Sequence, residues 1–303
     1  MKDRVSVIFS DYDGTLCPTT SVKKSHGNNK NNVAKIPQKL EKILYKISKK
    51  IPICIISSKD FVFLHNKTKF AHVLACVLGI ETLVHKYHHN RIDNLDCVIM
   101  QHLATSKQSL LDNSKVLSSV SELLQKNYND ATNIIIERKY TIDKGILIGL
   151  TVDYRQLENW QSFKEKVEPG LREMIQRNIQ AYLPESSSSS SFSSIDIPFI
   201  QTYATHPLID VYAIRYDKGI AFDNILSKLN QNERPANVLY LGDSENDNCA
   251  FTKTDISIGI RSDYRLNAKL DCKYMLDFNE LPLFLDNLIG SDFIFSEDLL
   301  PNL

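Results

Sequence analysis

Short apolar runs alternate with helical patterns in the first third of the chain. Residues 5–9, 51–56 and 73–78 are apolar runs of the length of a buried strand. Between them, residues 36–47 place apolar side chains at helical spacing, and residues 60–70 also have a helical pattern. Strands that alternate with helices predict a parallel sheet covered by helices.

The middle of the chain has a different pattern, in which helices and paired strands are mixed. The predicted elements are a helix at 110–124, strands at 134–137 and 146–152 joined by a turn at 143–145, a helix at 160–182 and a strand at 210–214. Six consecutive serines at 186–191 and the polar segment 18–32 are expected to form solvated loops, because neither can bury apolar surface. We interpret residues 89–214 as an inserted α+β domain.

The last third returns to the first pattern, with a helix at 218–229 and strands at 238–241 and 256–260. The predicted fold class is therefore α/β, with a parallel-sheet core formed by residues 1–88 and 215–303 around the insertion. A length of 303 residues suits two such units.

Composition narrows the classes of function. Lys plus Arg and Asp plus Glu are balanced at 36 each, which argues against a nucleic-acid or anionic-membrane partner. Apolar runs are far shorter than the roughly 20 residues of a membrane span, and the first residues lead into a strand without an apolar signal segment. The six cysteines are scattered, so we expect no disulfide framework and a cytoplasmic location.

Acidic residues follow two of the predicted strands. Asp11 and Asp13 come after residues 5–9, and Asp243 and Asp247 come after residues 238–241. Ligands of open parallel sheets bind beyond the carboxyl ends of the strands, so these acids converge if the two strands are neighbours. Four carboxylates in one crevice need a cation, and an all-oxygen set indicates Mg²⁺.

This pattern suits phosphoryl transfer. A carboxylate beside Mg²⁺ can attack phosphorus, and a second one can protonate the leaving oxygen and then activate water. Ser57 at a strand end and Lys218 at a helix start could hold the phosphate, while Gly14 permits a tight turn and Thr15 could orient a carboxylate. The alternative is structural, since Asp and Gly are common turn residues and residues 242–247 could be a loop with a helix cap.

Taken together, these motifs resemble those of a known family. Asp11-Tyr12-Asp13-Gly14-Thr15, Ser57, Lys218-Gly219 and Gly242-Asp243-Ser244-Glu245-Asn246-Asp247 resemble the four-motif set of haloacid dehalogenase-like phosphatases. The position of the insertion, between the serine and the lysine, resembles the type IIB cap subgroup. The resemblance implies a Rossmann-like core with an α/β cap over the site.

The resemblance also implies roles for the motif residues. Asp11 would be the nucleophile and Asp13 the general acid and base. Mg²⁺ would be bound by Asp11, the backbone carbonyl of Asp13 and Asp243, with Asp247 close by or acting through water. Ser57 and Lys218 would hold the phosphate, with Ser58 as a further candidate contact, although Ser58-Lys59 stands where Gly-Arg is common in the family.

The insertion carries a second resemblance. Residues 136–139 and 149–155 are similar to a Glu-x-Lys and His-Tyr-Arg pattern in the caps of trehalose-6-phosphate phosphatases, which makes Glu137, Lys139 and Arg155 candidates for binding sugar hydroxyls. They could instead line the solvent face of the cap sheet. Asp153 replaces the histidine of this pattern, and residues 242–247 are closer to mannosyl-3-phosphoglycerate and sucrose-phosphate phosphatases.

The sequence thus predicts a Mg²⁺-dependent phosphatase acting on a small-molecule sugar phosphate. Trehalose 6-phosphate is the first candidate, and other sugar phosphatases of this subgroup and a phosphomutase are alternatives. An alternative of another class is a catalytically silent, sugar-phosphate-binding regulatory module.

Overall fold

The structure is a computed structural model, which describes residues 4–18, 35–86, 98–128, 133–143, 145–182, 197–229, 237–261 and 269–301. The expected loops at 18–32, apart from Pro18, and at 186–191 lie outside these residues. None of the helices within the described ranges combines the length and apolar character that a membrane span requires.

The chain divides into two compact units. One is formed by Met1–His102 with Asp217–Leu303, and the other by Leu103–Tyr216. The sequence pattern had suggested boundaries after residues 88 and 214. The strand at Val98–Leu103 continues the sheet of the first unit beyond residue 88, which accounts for the different position of the first boundary.

The first unit is built on an eight-stranded sheet with the order β12-β11-β10-β1-β2-β3-β4-β5. Its strands are β1 (Val7–Ser10), β2 (Ile53–Ile56), β3 (Val73–Cys76), β4 (Glu81–Lys86), β5 (Val98–Leu103), β10 (Val238–Gly242), β11 (Ile256–Arg261) and β12 (Tyr274–Asp277). The pairs from β12 to β3 are parallel, and β4 is antiparallel to β3. This parallel-dominated sheet with helices confirms the predicted α/β class.

Continuous apolar runs explain the centre of this sheet. Every residue of β1, β2, β3 and β10 is buried, as expected for strands covered by helices on both faces. The helices of this unit are α1 (Gln38–Ser48), α2 (Phe61–Leu64), α6 (Lys218–Leu229), α7 (Asn248–Phe251) and α8 (Leu281–Gly290). In α1 the buried residues are Leu40, Ile43, Leu44 and Ile47, which form one apolar stripe.

The second unit contains a four-stranded antiparallel sheet with the order β6-β7-β9-β8. Its strands are β6 (Ile135–Tyr140), β7 (Leu147–Asp153), β8 (Phe199–Thr202) and β9 (Leu208–Tyr212), and its helices are α3 (Lys107–Asn127), α4 (Trp160–Lys166) and α5 (Glu168–Ala181). Arg138 of β6 donates to Ser121 of α3, so the face that carries Arg138, Leu150 and Val211 is the one toward α3. Side chains alternate along a strand, so Glu137, Thr151 and Asp210 lie on the other face.

Two predicted helices differ from the structure. The helix expected over residues 60–70 ends at Leu64, whose carbonyl accepts from both the amide and the hydroxyl of Thr68, and the chain then turns toward β3. The helix expected over residues 160–182 is two helices that meet at Val167. Pro169 explains the break, because a proline has no amide proton to donate and its ring clashes with the carbonyl four residues earlier.

Candidate active site

The acids at the two strand ends converge because β1 and β10 are neighbours. The strands are parallel with Ser10 opposite Leu241, and the Asp11 amide donates to the Leu241 carbonyl at 2.9 Å. Carboxylate oxygens of Asp11, Asp243 and Asp247 lie within 4.8 Å of one another, and all three residues are buried. The half-buried Asp13 is not in this cluster.

Gly14 allows the two acidic loops to approach each other closely. Its φ of +87° lies in the left-handed region, and a Cβ at this position would lie 1.9 Å from Asp243 Oδ2. The hydroxyl of Thr15, the next residue, donates to Asp243 Oδ1 at 3.3 Å. The turn after β1 therefore fixes the carboxylate that follows β10.

Lys218 provides a positive charge at the centre of the acids. It is the first residue of α6 and its side chain is only 3% exposed. The ammonium lies 3.0 Å from Asp11 Oδ1 and 2.7 Å from Asp247 Oδ1. Burial disfavours the ammonium, but the two carboxylates outweigh burial and raise the pKa of Lys218 above its ordinary value.

Asp247 accepts hydrogen bonds at both oxygens. Oδ1 accepts from the Lys218 ammonium and, at 2.9 Å, from the Tyr240 hydroxyl. Oδ2 accepts from the Asp243 amide at 3.1 Å and from the amide and hydroxyl of Ser244, each at 3.0 Å. The absence of a side chain at Gly242 leaves space for the Asp247 carboxylate, because a Cβ at position 242 would lie 2.4 Å from Asp247 Cγ.

The cluster suits a divalent cation. Three carboxylates and one ammonium leave a formal charge of −2. Burial raises the pKa of Asp11 to about 6, against the lowering effect of Lys218 and with the added repulsion of Asp247 and Asp13. Lys218 therefore does not fully offset the buried negative charge. Carboxylate oxygens are hard ligands that Mg²⁺ accepts, so the residues fit the predicted ion.

Ser57 lies at the end of β2, beside β1 in the sheet. It is buried, and its hydroxyl oxygen accepts from the Lys59 amide at 3.2 Å. Two further amides hold this loop, since Val77 donates to the Lys59 carbonyl at 2.9 Å and Leu78 to the Ser57 carbonyl at 2.8 Å. Ser58, the other predicted phosphate contact, is half-buried in the same loop.

The candidate sugar-binding residues lie in the second unit. Lys139 is 1% exposed, with its ammonium 3.2 Å from Asp210 Oδ1. Arg155 forms a forked ion pair with Asp153, in which its Nε lies 2.9 Å from Oδ2. Glu137 is half-buried on the same face of β6 as Lys139. Binding of sugar by these residues remains a prediction.

Tyr240 and Asp210 are central to these networks, and sequence reasoning missed both. Tyr240 is fully buried and its hydroxyl contacts Asp247, while Asp210 pairs with Lys139 and also accepts from Thr151 and from the Tyr203 hydroxyl. Burial raises the pKa of Asp210, but Lys139 and these hydroxyls outweigh burial and lower it. An aspartate within the apolar strand β9 was the available signal.

Comparisons with known proteins identify the fold. No protein-family model matches the chain, and no curated protein sequence matches it at a significant level. The C-terminal domain of trehalose-6-phosphate phosphatase from C. albicans is 17% identical, with a TM-score of 0.64 over 96% of this chain and 94% of that chain. A trehalose-6-phosphate phosphatase related protein is 15% identical, with a TM-score of 0.59 over 94% of this chain and 99% of that one.

A third similar structure is a phosphatase of the haloalkanoate (HAD) superfamily from Bacteroides thetaiotaomicron. It is 13% identical, with a TM-score of 0.51 over 96% of this chain and 97% of that chain. The chain therefore has the fold of the haloacid dehalogenase-like phosphatases. At the level of the fold, this confirms the resemblance seen in the sequence motifs.

Proposed function

We propose that the chain is a Mg²⁺-dependent phosphatase that hydrolyses a sugar phosphate, with trehalose 6-phosphate as the first candidate. The observation that carries the proposal is the buried cluster of Asp11, Asp243 and Asp247 around the Lys218 ammonium at the carboxyl ends of β1 and β10. Burying three acids beside a single lysine lowers the stability of the fold, so a catalytic role explains the cluster better than a structural role does.

Asp11 is the nucleophile in this proposal. One of its oxygens attacks phosphorus, the bond from phosphorus to the sugar oxygen breaks, and Asp13 gives its proton to that leaving oxygen. Asp13 then takes a proton from a water molecule that attacks the phosphorus of phospho-Asp11. Inorganic phosphate leaves, and the Asp11 carboxylate is regenerated.

Asp11, the Asp13 carbonyl and Asp243 would hold Mg²⁺, which, when bound, offsets the negative charge on the transferred phosphoryl group. Asp247 accepts five hydrogen bonds, more than the roughly four lone pairs of a carboxylate. It is therefore better suited to hold Lys218 and the Asp243 loop than to bind the ion directly.

Ser57, Ser58 and Lys218 are the proposed phosphate contacts. The Ser57 oxygen accepts from the Lys59 amide, so the hydroxyl proton is directed away from that amide and is suited to a phosphate oxygen. Lys218 already lies 3.0 Å from the proposed nucleophile, where its charge can stabilise the equatorial oxygens of the transition state.

Glu137, Lys139 and Arg155 are the proposed contacts to the sugar. Support comes from the charges of Glu137 and Lys139 on one face of β6, from Arg155 in the turn that follows β7, and from the C. albicans structure, which is a trehalose-6-phosphate phosphatase domain. The ion pairs with Asp210 and Asp153 fix the side chains of Lys139 and Arg155, and a fixed donor loses little entropy on binding.

A substrate panel tests the proposal. Phosphate release is measured from trehalose 6-phosphate, sucrose 6-phosphate, mannosyl-3-phosphoglycerate, glucose 6-phosphate and an aryl phosphate, with Mg²⁺ and with excess chelator. Asp11→Asn is the matched variant, since it keeps the shape of the side chain and removes the nucleophilic carboxylate. We expect chelator and Asp11→Asn each to reduce turnover at least about a thousandfold.

The outcomes separate the alternatives. Preference for one disaccharide phosphate supports the sugar-phosphatase function, while isomer formation without phosphate release indicates a phosphomutase. Tight binding of a sugar phosphate without turnover indicates a regulatory module. Full activity in chelator, or in Asp11→Asn, contradicts the mechanism.

A further inference from the structure

The carboxylate of Asp247 joins the proposed catalytic lysine to a tyrosine with no place in the mechanism described so far. Tyr240 lies on β10, three residues before Asp243, and is fully buried. Its hydroxyl donates to Asp247 Oδ1 at 2.9 Å, and the same oxygen accepts from the Lys218 ammonium at 2.7 Å. Two donors of different charge thus share one carboxylate oxygen.

The packing of the Tyr240 ring and the hydrogen bond of its hydroxyl can be considered separately. Its ring contacts Phe222 of α6 at 6.3 Å and Phe251 of α7 at 5.4 Å, as measured between ring centroids. A phenylalanine would satisfy both ring contacts equally well. The presence of tyrosine instead of phenylalanine is therefore explained by the hydroxyl, which has a hydrogen-bond partner in Asp247. A buried hydroxyl without such a partner would be unfavourable. Burial, followed by the charges of Asp247 and Asp11, raises the pKa of Tyr240 well above its usual value, so the hydroxyl is a neutral donor.

The hydroxyl limits how strongly Asp247 attracts Lys218. Each hydrogen bond to Oδ1 takes up part of the negative charge of that oxygen, so the bond from Tyr240 weakens the pull of Asp247 on the ammonium. The ammonium can then remain between Asp247 and Asp11, from which it is 3.0 Å away. Without the hydroxyl, Lys218 should move toward Asp247 and away from the nucleophile.

We propose that Tyr240 is a positioning residue whose hydroxyl, acting through Asp247, keeps Lys218 in place beside Asp11. The catalytic meaning of this inference rests on the proposed phosphatase function. The coupling between Tyr240 and Asp247 does not, since it is a property of the folded protein.

Tyr240→Phe tests the inference by removing one oxygen atom and leaving the ring. With an aryl phosphate and saturating Mg²⁺, we expect kcat to fall about tenfold, a fraction of the effect of one charged hydrogen bond. We expect KM to change less than about threefold, because Lys218 acts mainly on charge that develops in the transition state. A kcat within twofold of wild type would overturn the proposal.

Tyr154→Phe is the matched control. Tyr154 is also fully buried and its hydroxyl also donates to a carboxylate, that of Glu168 in the second unit. The control therefore loses the same kind of bond outside the cluster of acids. We expect its kcat to stay within about twofold of wild type even if its stability falls.

A double-mutant cycle with Asp247→Asn separates positioning from general loosening of the core. If Tyr240 acts through Asp247, Tyr240→Phe should lower kcat less than about twofold in the Asp247→Asn background. The same tenfold loss in both backgrounds would mean that the hydroxyl acts elsewhere, and would refute the proposal.

Urea unfolding of the wild type, Tyr240→Phe, Asp247→Asn and the double variant keeps the two proposals distinguishable. If the wild-type chain releases no phosphate from any substrate, the proposed function fails, and the unfolding midpoints still decide the coupling. A midpoint shift from Tyr240→Phe that shrinks by at least about half in the Asp247→Asn background supports the link. Equal shifts in both backgrounds overturn it, and the same measurement serves if Asp247→Asn is too slow to assay.

Discussion

Gly14→Ala is a small change with a large expected effect. A single methyl group at this position would lie 1.9 Å from Asp243 Oδ2 and 2.5 Å from Asp243 Cγ. Real Cβ contacts are essentially never shorter than 3.0 Å, so the Asp243 carboxylate must move by more than 1 Å. Such a movement takes the Oδ1 atom of Asp243 away from the Thr15 hydroxyl, now at 3.3 Å.

The magnitude of the effect follows from two costs. Alanine at a φ of +87° is less favourable than glycine by about 1–2 kcal/mol, and the displaced carboxylate adds to this cost. We therefore expect the free energy of unfolding to fall by about 2 kcal/mol. The expected loss of kcat is at least about a hundredfold, since a displacement of about 1 Å at a proposed metal ligand misplaces the reacting groups.

The assay compares Gly14→Ala with Gly170→Ala. Gly170 lies in α5, and a Cβ there would meet nothing within 4 Å. Alanine is the better helix former, so we expect Gly170→Ala to raise the free energy of unfolding by about 0.5–1 kcal/mol and to leave turnover unchanged. Urea unfolding and Mg²⁺-dependent phosphate release are measured for both. Wild-type stability and turnover in Gly14→Ala would refute the argument from close approach.

Two further predictions concern ionisable side chains that are wholly or partly buried. Lys139→Met should lower the free energy of unfolding by about 3–5 kcal/mol because Asp210 loses its cation. Adding Asp210→Asn should recover part of that loss, because it removes the unpaired charge and keeps a polar partner for Thr151 and Tyr203; a single variant as stable as wild type in urea would contradict this. The pKa of His72 is lowered by burial and then by His85, and its Nδ1 accepts from the Ile53 amide at 3.2 Å. Since the folded pKa of His72 is below the ordinary histidine value of about 6.5, stability is retained above that pH and falls as the pH drops below it. His72→Gln should flatten this dependence in unfolding curves between about pH 7.5 and 5.5, and parallel curves would count against it.

Much of the core followed from local sequence. Apart from Ser10 and Gly242, the residues that form β1, β2, β3 and β10 are apolar, and such runs are stable only when both faces of the strand are covered. The predicted helix at 218–229 has the bounds of α6. The acids were visible as candidates because each pair follows one of these strands directly.

Other elements could not be predicted from local patterns. The apolar spacing of residues 60–70 is helical, but the helix ends at Leu64. The antiparallel strand β4 was not predicted, because its position at the edge of the parallel region depends on pairing with β3. Which strands pair is a tertiary property, and the apolar spacing within one strand does not encode its partner.

The sequence by itself determined which residues are candidates for the proposed chemistry, through acids, a serine and a lysine that each stand at the end of a strand or the start of a helix. Only the tertiary structure decided which atoms meet. The hydrogen bond from Thr15 to Asp243 spans 228 residues of sequence, and that from Lys139 to Asp210 spans 71. Contacts at such separations are set by strand order and register, because the order of the sheet, and not the order of the chain, brings the carboxyl ends of β1 and β10 side by side.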